Sequence, residues 1–80
     1  MKWYDYIHSD PSVMVGKPVI RGTRLSVEFL LELLAEGWSE QQILESYPQL
    51  SREALRATFA FAVECTRDEL VYNVSNGTTR

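Results

Sequence analysis

The chain has 80 residues, 45% of them hydrophobic and 24% charged, with 11 acidic against 8 basic side chains and a net charge of -3. This is the composition of one folded domain rather than a disordered segment. A domain so short buries only about 60–65% of its unfolded surface, so extra burial against a second copy or a partner is expected. The acidic balance excludes a protein held to nucleic acid by bulk charge alone. One cysteine, Cys65, and one histidine, His8, exclude an internal disulfide and a structural zinc site made of such ligands.

No stretch approaches the ~20 apolar residues of a membrane span, and the first residues lack the apolar core of a secretory signal. A cytoplasmic protein with no membrane partner is expected. Residues 2–8 are aromatic-rich and partly alternating, with Tyr4 and Tyr6 in step, which predicts a short strand. Asp10-Pro11-Ser12 reads as a turn. The next stretch, Gly16-Lys17-Pro18-Val19-Ile20-Arg21-Gly22-Thr23-Arg24-Leu25, places two glycines, a proline and three cations around a short apolar run. It predicts a small hairpin in which Pro18 to Ile20 pair with Arg24-Leu25 across Arg21-Gly22-Thr23. The hairpin region as a whole is expected over about residues 4–25.

From Leu25 the pattern becomes helical. Leu25-Ser26 with Leu30, Trp38-Ser39 with Ile43, and Leu50-Ser51 with Leu55 each match a serine N-cap flanked by a hydrophobic staple, and Gln42 completes a capping box with Ser39. Three helices follow, over about Val27 to Glu36, Glu40 to Ser46 and Arg52 to Asp68. Gly37 stops the first, and Tyr47-Pro48 the second. In the first helix Val27, Leu30, Leu31 and Leu34 form the core stripe, which leaves Phe29 and Leu33 as contacts for another subunit, for the hairpin, or as a widened core face. In the third, Leu55, Thr58, Phe59, Ala62 and Thr66 should face inward, with Cys65 as core filler. Ala57, Ala60 and Phe61 should form an outward patch. Leu70 to Val74 are a last strand or an extended arm, and residues 75–80 a disordered tail. The fold class is mainly α: one domain over residues 1–74 with a trihelical, helix-turn-helix core and a short N-terminal β-hairpin.

In a helix-turn-helix the helix after the turn enters the major groove N-terminus first, which here selects Ser51, Arg52, Glu53 and Arg56. Arginine reads guanine edges or holds phosphate, glutamate accepts from cytosine, and serine touches base or backbone. The competing reading is an ordinary solvated helix face. Lys17, Arg21 and Arg24 form a second basic cluster, suited either to phosphate or an acidic partner, or to guarding a strand edge against unwanted pairing. Few cations are available per chain, so DNA binding implies a dimer. Asp5, His8 and Asp10 lie close in sequence, but no second histidine, nucleophile motif or phosphate loop accompanies them. No catalytic residue, metal site or cofactor is assigned, and an enzyme is not expected.

The chain resembles the domain-of-unknown-function family 433, in its VapB-like antitoxin group. The likeness covers roughly residues 5–66. It rests on the Asp10-Pro11 turn, the run from Gly16 to Arg24, the Leu30 to Gly37 helix end, Ser39-Glu40-Gln41-Gln42-Ile43-Leu44, and Tyr47-Pro48-Gln49-Leu50-Ser51. The resemblance implies a homeodomain-like helix-turn-helix encoded beside a PIN-like nuclease. It implies an antitoxin that restrains that nuclease and represses its own promoter, with Ser51, Arg52 and Arg56 facing operator DNA. The segment from Leu70 to Arg80, including Tyr72, becomes the arm for the toxin, and Phe29, Leu33 and Phe61 remain partner contacts. A protein-interaction adaptor that never touches DNA is the alternative.

Overall fold

A computed structural model describes the backbone of residues 1–74, and within it all side chains except those of Met14 and residues 68–74. The expectations for the Leu70 and Tyr72 side chains and for residues 75–80 lie outside the described residues. A single 3₁₀ turn (Trp3–Asp5) leads into strands β1 (Ile7–Asp10) and β2 (Val13–Ile20), followed by helices α1 (Val27–Ala35), α2 (Glu40–Ser46) and α3 (Arg52–Val74). Three helices and a short N-terminal antiparallel hairpin are therefore the architecture. Among the described residues no helix is long and apolar enough to cross a membrane.

The hairpin closes elsewhere than the glycine pattern implies. β1 pairs with β2 through Ile7 with Ile20, His8 with Val19 and Ser9 with Pro18, across the Pro11-Ser12 turn. The strand expected over residues 2–8 begins only at Ile7, because Trp3 and Tyr6 turn in to pack on the core and the chain between them coils. Asp10 Oδ1 accepts hydrogen bonds from Ser12 N at 2.9 Å and Ser12 Oγ at 2.8 Å, which fixes the turn. The register slips between Ser9 and Asp10, where Asp10 pairs with Val13 and residues 14–17 fall between the two partners. Within that irregular segment Val15 takes φ 54° and Gly16 φ 80°. For a β-branched residue the left-handed region costs about 1–2 kcal/mol, and Val15 is 93% exposed, so no contact within the chain offsets it.

Ser12 donation to the Asp10 carboxylate, backbone bond first, holds its pKa below the ordinary aspartate value. A carboxyl lowered in the folded state stabilises above its unfolded pKa and loses that contribution as pH falls through the folded one. The gap in melting temperature between the native chain and Asp10→Ala, read at pH 6, should therefore narrow as the pH drops below about 4.

The pairing expected across Arg21-Gly22-Thr23 reduces to one bridge, Val19 with Ser26, and a hydrogen bond from Ile20 N to Leu25 O at 2.9 Å. Gly22 supplies the positive φ, and Thr23 ties the loop: its Oγ1 donates to Ile20 O at 2.9 Å and accepts from Leu25 N at 3.0 Å. This turn delivers Ser26 to the start of α1. All three serines cap as their spacing predicts, Ser26 Oγ accepting from Phe29 N, Ser39 Oγ from Gln42 N and Ser51 Oγ from Ala54 N at 3.0–3.1 Å. The Gln42 side chain returns a bond from Ser39 N at 2.8 Å.

Helix α1 ends in a Schellman motif. Trp38 N donates to Leu33 O and Gly37 N to Leu34 O, with Gly37 at φ 101°. Nothing lies within 4 Å of a Cβ added at Gly37, so Gly37→Ala is a test of backbone strain alone. It should cost about 1 kcal/mol and lower the melting temperature by about 4–8 °C in a thermal scan.

The core gathers Ile7, Val19, Ile20, Val27, Leu30, Leu33, Ile43, Leu50, Ala54, Leu55 and Ala57. Leu33 belongs to it, while Leu31 and Leu34 are half-buried, which reverses their expected order. The cause is position: α1 packs on β2 on one side and α3 on the other, so its buried row is Val27, Leu30, Leu33. Phe29 is half-buried edge-to-face against Tyr47, with ring centroids 5.8 Å apart.

The inward set expected on α3 is also shifted. Ala57, placed outward by the pattern, is fully buried, and Thr58 joins it with its Oγ1 donating back to Ala54 O. Thr66 and Cys65, expected inside, are exposed. The reason is length: at about 1.5 Å per residue the 23-residue helix runs ~35 Å, while the body can cover only its first turns. No proline or glycine lies within it, so Leu70 to Val74 continue the helix instead of forming a strand or an extended arm.

Candidate nucleic-acid interface

The N-terminus of α3 presents Ser51, Arg52, Glu53 and Arg56, all exposed. Their roles divide. Ser51 is committed to capping, and Arg52 Nη1 reaches Glu40 Oε1 at 3.6 Å, which ties the first turn of α3 to that of α2. Both side chains of that pair remain partly exposed, and such bridges contribute about 0–1 kcal/mol, so Arg52 is easily released to a stronger anion. Arg52 and Arg56, four residues apart, share one helix face. Two exposed arginines thus stand at the opening of a helix that a short link joins to a shorter one.

The hairpin cations are placed differently. Lys17 Nζ donates to Glu28 Oε1 at 2.7 Å, a bond that raises the Lys17 pKa, with Glu28 and Glu32 charges adding to it. Arg21 Nη2 donates to Tyr4 O at 3.4 Å, and its backbone N to Tyr6 O at 2.8 Å. Arg24 is exposed on the turn. The run from Gly16 to Leu25 therefore works first as a clasp: Lys17 anchors it to α1, Arg21 to the N-terminal turn, and Thr23 to itself.

One apolar feature is not legible in the pattern. A groove of about 540 Å³ lies between β2, α1 and α3, with walls of Pro18, Val27, Leu31, Ala35 and Phe61, and Glu28 and Glu32 on its lip. Phe61 does not stand free, since Trp3 packs edge-on to it with centroids 4.9 Å apart. Of the expected partner contacts, Leu33 is inside the core, Phe29 is on Tyr47, and Phe61 is at the groove. The groove residues were hidden in the sequence because they come from three separated segments. Among the described residues no three His, Cys, Asp or Glu side chains converge as metal ligands would.

Residues 7–62 match the family model described as a protein of unknown function, DUF433. The chain is 34% identical over 58 residues to the uncharacterised protein y4eO of Sinorhizobium fredii, covering 72% of this chain and 26% of that one. It thus spans about a quarter of that curated relative. It is also similar to the crystal structure of a DUF433 member from Anabaena variabilis, with a TM-score of 0.71 and 28% identity, over 84% of this chain and 65% of the other.

Proposed function

The chain belongs to the DUF433 family, and from that premise we propose that it is a helix-turn-helix antitoxin, binding operator DNA through α3 and restraining a PIN-like nuclease. The observation that carries the reading is the exposed N-terminal end of α3, where Arg52 and Arg56 share one face with Glu53 beside them. It begins with a serine cap, follows α2 by the link of residues 47–51, and displays Arg52, Glu53 and Arg56 where a recognition helix displays its base-reading side chains. α1 closes the core behind the pair, as in homeodomain-like domains. With so few cations per chain, a homodimer on a two-fold site supplies enough phosphate contacts. The long α3 offers the nuclease a helical arm beyond the body, which the domain's own core does not need.

The test is binding to a duplex taken from immediately upstream of its own coding sequence. The affinity should fall linearly with salt on logarithmic axes, with a slope of about -0.9 per phosphate contacted. Absence of any salt-dependent complex, with and without the neighbouring gene product, removes the reading.

A second reading is a protein-interaction adaptor that does not use DNA. It is favoured by the Arg52–Glu40 pair, which lowers the cationic character of the proposed interface, and by the net charge of -3.

A further inference from the structure

We propose that two copies of this chain associate through the hairpin bulge, the exposed Val15 of each seated in the apolar groove of the other. This deepens the dimer invoked above and rests on that reading only for its stoichiometry.

Val15 is the most exposed of the large apolar side chains described. It is apolar, 93% exposed and held at φ 54°, where asparagine or glycine sits without strain. Among the described residues nothing rewards valine at that point, and its reward is placed outside the chain. An outlier of this kind, observed first, is what licenses a functional inference.

The complementary surface is on the same molecule. The groove has an apolar floor from Val27, Leu31 and Ala35, and its lip carries Glu28 and Glu32. The bulge has the opposite design, an apolar tip two residues from the cation of Lys17. Lys17 bonds to Glu28 at 2.7 Å, so it stands on the groove lip, and chain geometry keeps the Val15 Cα within about 8 Å of the Lys17 Cα. The knob therefore lies close to the groove along the chain, three residues from Pro18 in its wall. A patch that holds both is self-complementary, the requirement for a two-fold contact in which each copy gives and receives the same group. Lys17 of one copy then meets Glu32 of the other across the rim. A second copy is preferred to an unrelated protein for this reason, and because a domain of 80 residues gains most from added burial.

Sedimentation velocity over a concentration series gives the first test. The native chain should dimerise, and Val15→Asp and Ala35→Arg should each weaken the dimer about tenfold or more. Both positions are exposed, so folding is retained. At a concentration where the native chain is monomeric, Val15→Asp should melt no lower than it, which separates lost association from lost stability. The second test mixes two chains that both carry Cys65→Ser, one with Val15→Cys and the other with Ala35→Cys. Oxidation should give the mixed disulfide in excess over a Val63→Cys control. A native chain that stays monomeric, a dimer indifferent to both substitutions, or a mixed disulfide no more abundant than the control overturns the proposal. If a monomer still binds the upstream duplex, the groove contact falls while the α3 assignment stands.

Discussion

Leu30→Ala should cost about 2–5 kcal/mol of stability, as large-to-small substitutions at sealed core positions do. Leu30 is fully buried in the middle of α1, between the row that packs on β2 and the row that faces α3. A domain of 80 residues has about 4–12 kcal/mol in total at the usual 0.05–0.15 per residue, so the loss is a large share. Equilibrium denaturation should show a lower midpoint with an unchanged slope, and the melting temperature should fall by at least ~10 °C. Glu36→Ala, exposed at the end of the same helix, is the control and should stay within about 0.5 kcal/mol. A Leu30→Ala chain as stable as that control would mean that α1 does not seal the core.

The second large effect concerns the proposed interface. The double charge reversal Arg52→Glu with Arg56→Glu should reduce affinity for the upstream duplex by at least about thirtyfold, since each well-placed arginine contact contributes about 1–3 kcal/mol of discrimination. Stability should change little. The Arg52–Glu40 pair is the only described ion pair that the change removes, and partly exposed pairs contribute about 0–1 kcal/mol. An unchanged affinity would move any DNA site away from α3. Reversal at Arg24 provides the comparison, because that side chain sits on the hairpin turn and not on the helix face.

Local chemistry in the sequence located the helices, and non-local packing decided the rest. Three serine caps with their staples mark the starts of α1, α2 and α3, because a cap is satisfied within four residues and needs no tertiary partner. Gly37 marks the end of α1 for the same reason. Strand pairing is settled at longer range, so the glycine at position 22 drew the hairpin to the wrong turn. Pro11-Ser12 carries it, and Gly22 serves the junction into α1. The arc that each helix buries also depends on its neighbours. Leu33 is inside and Leu31 half out because β2 and α3 both press on α1, and Cys65 is outside because α3 outruns the body. The basic turn at Arg52 and Arg56 could be found from spacing, while the groove, assembled from residues 18 to 61, could not. Nor does the sequence show that Lys17 is tied to Glu28 and Arg21 to the Tyr4 carbonyl, which turns two expected partner cations into parts of a clasp.

The central claim is that the first turn of α3 meets DNA, and amide shifts of isotope-labelled protein titrated with the upstream duplex test it most directly. The residues moving first and furthest should be 51–56, with Arg56 among them, and the effect should fade as salt is raised. Perturbations confined to Val27 to Ala35 and Phe61, or none at any salt concentration, would contradict it.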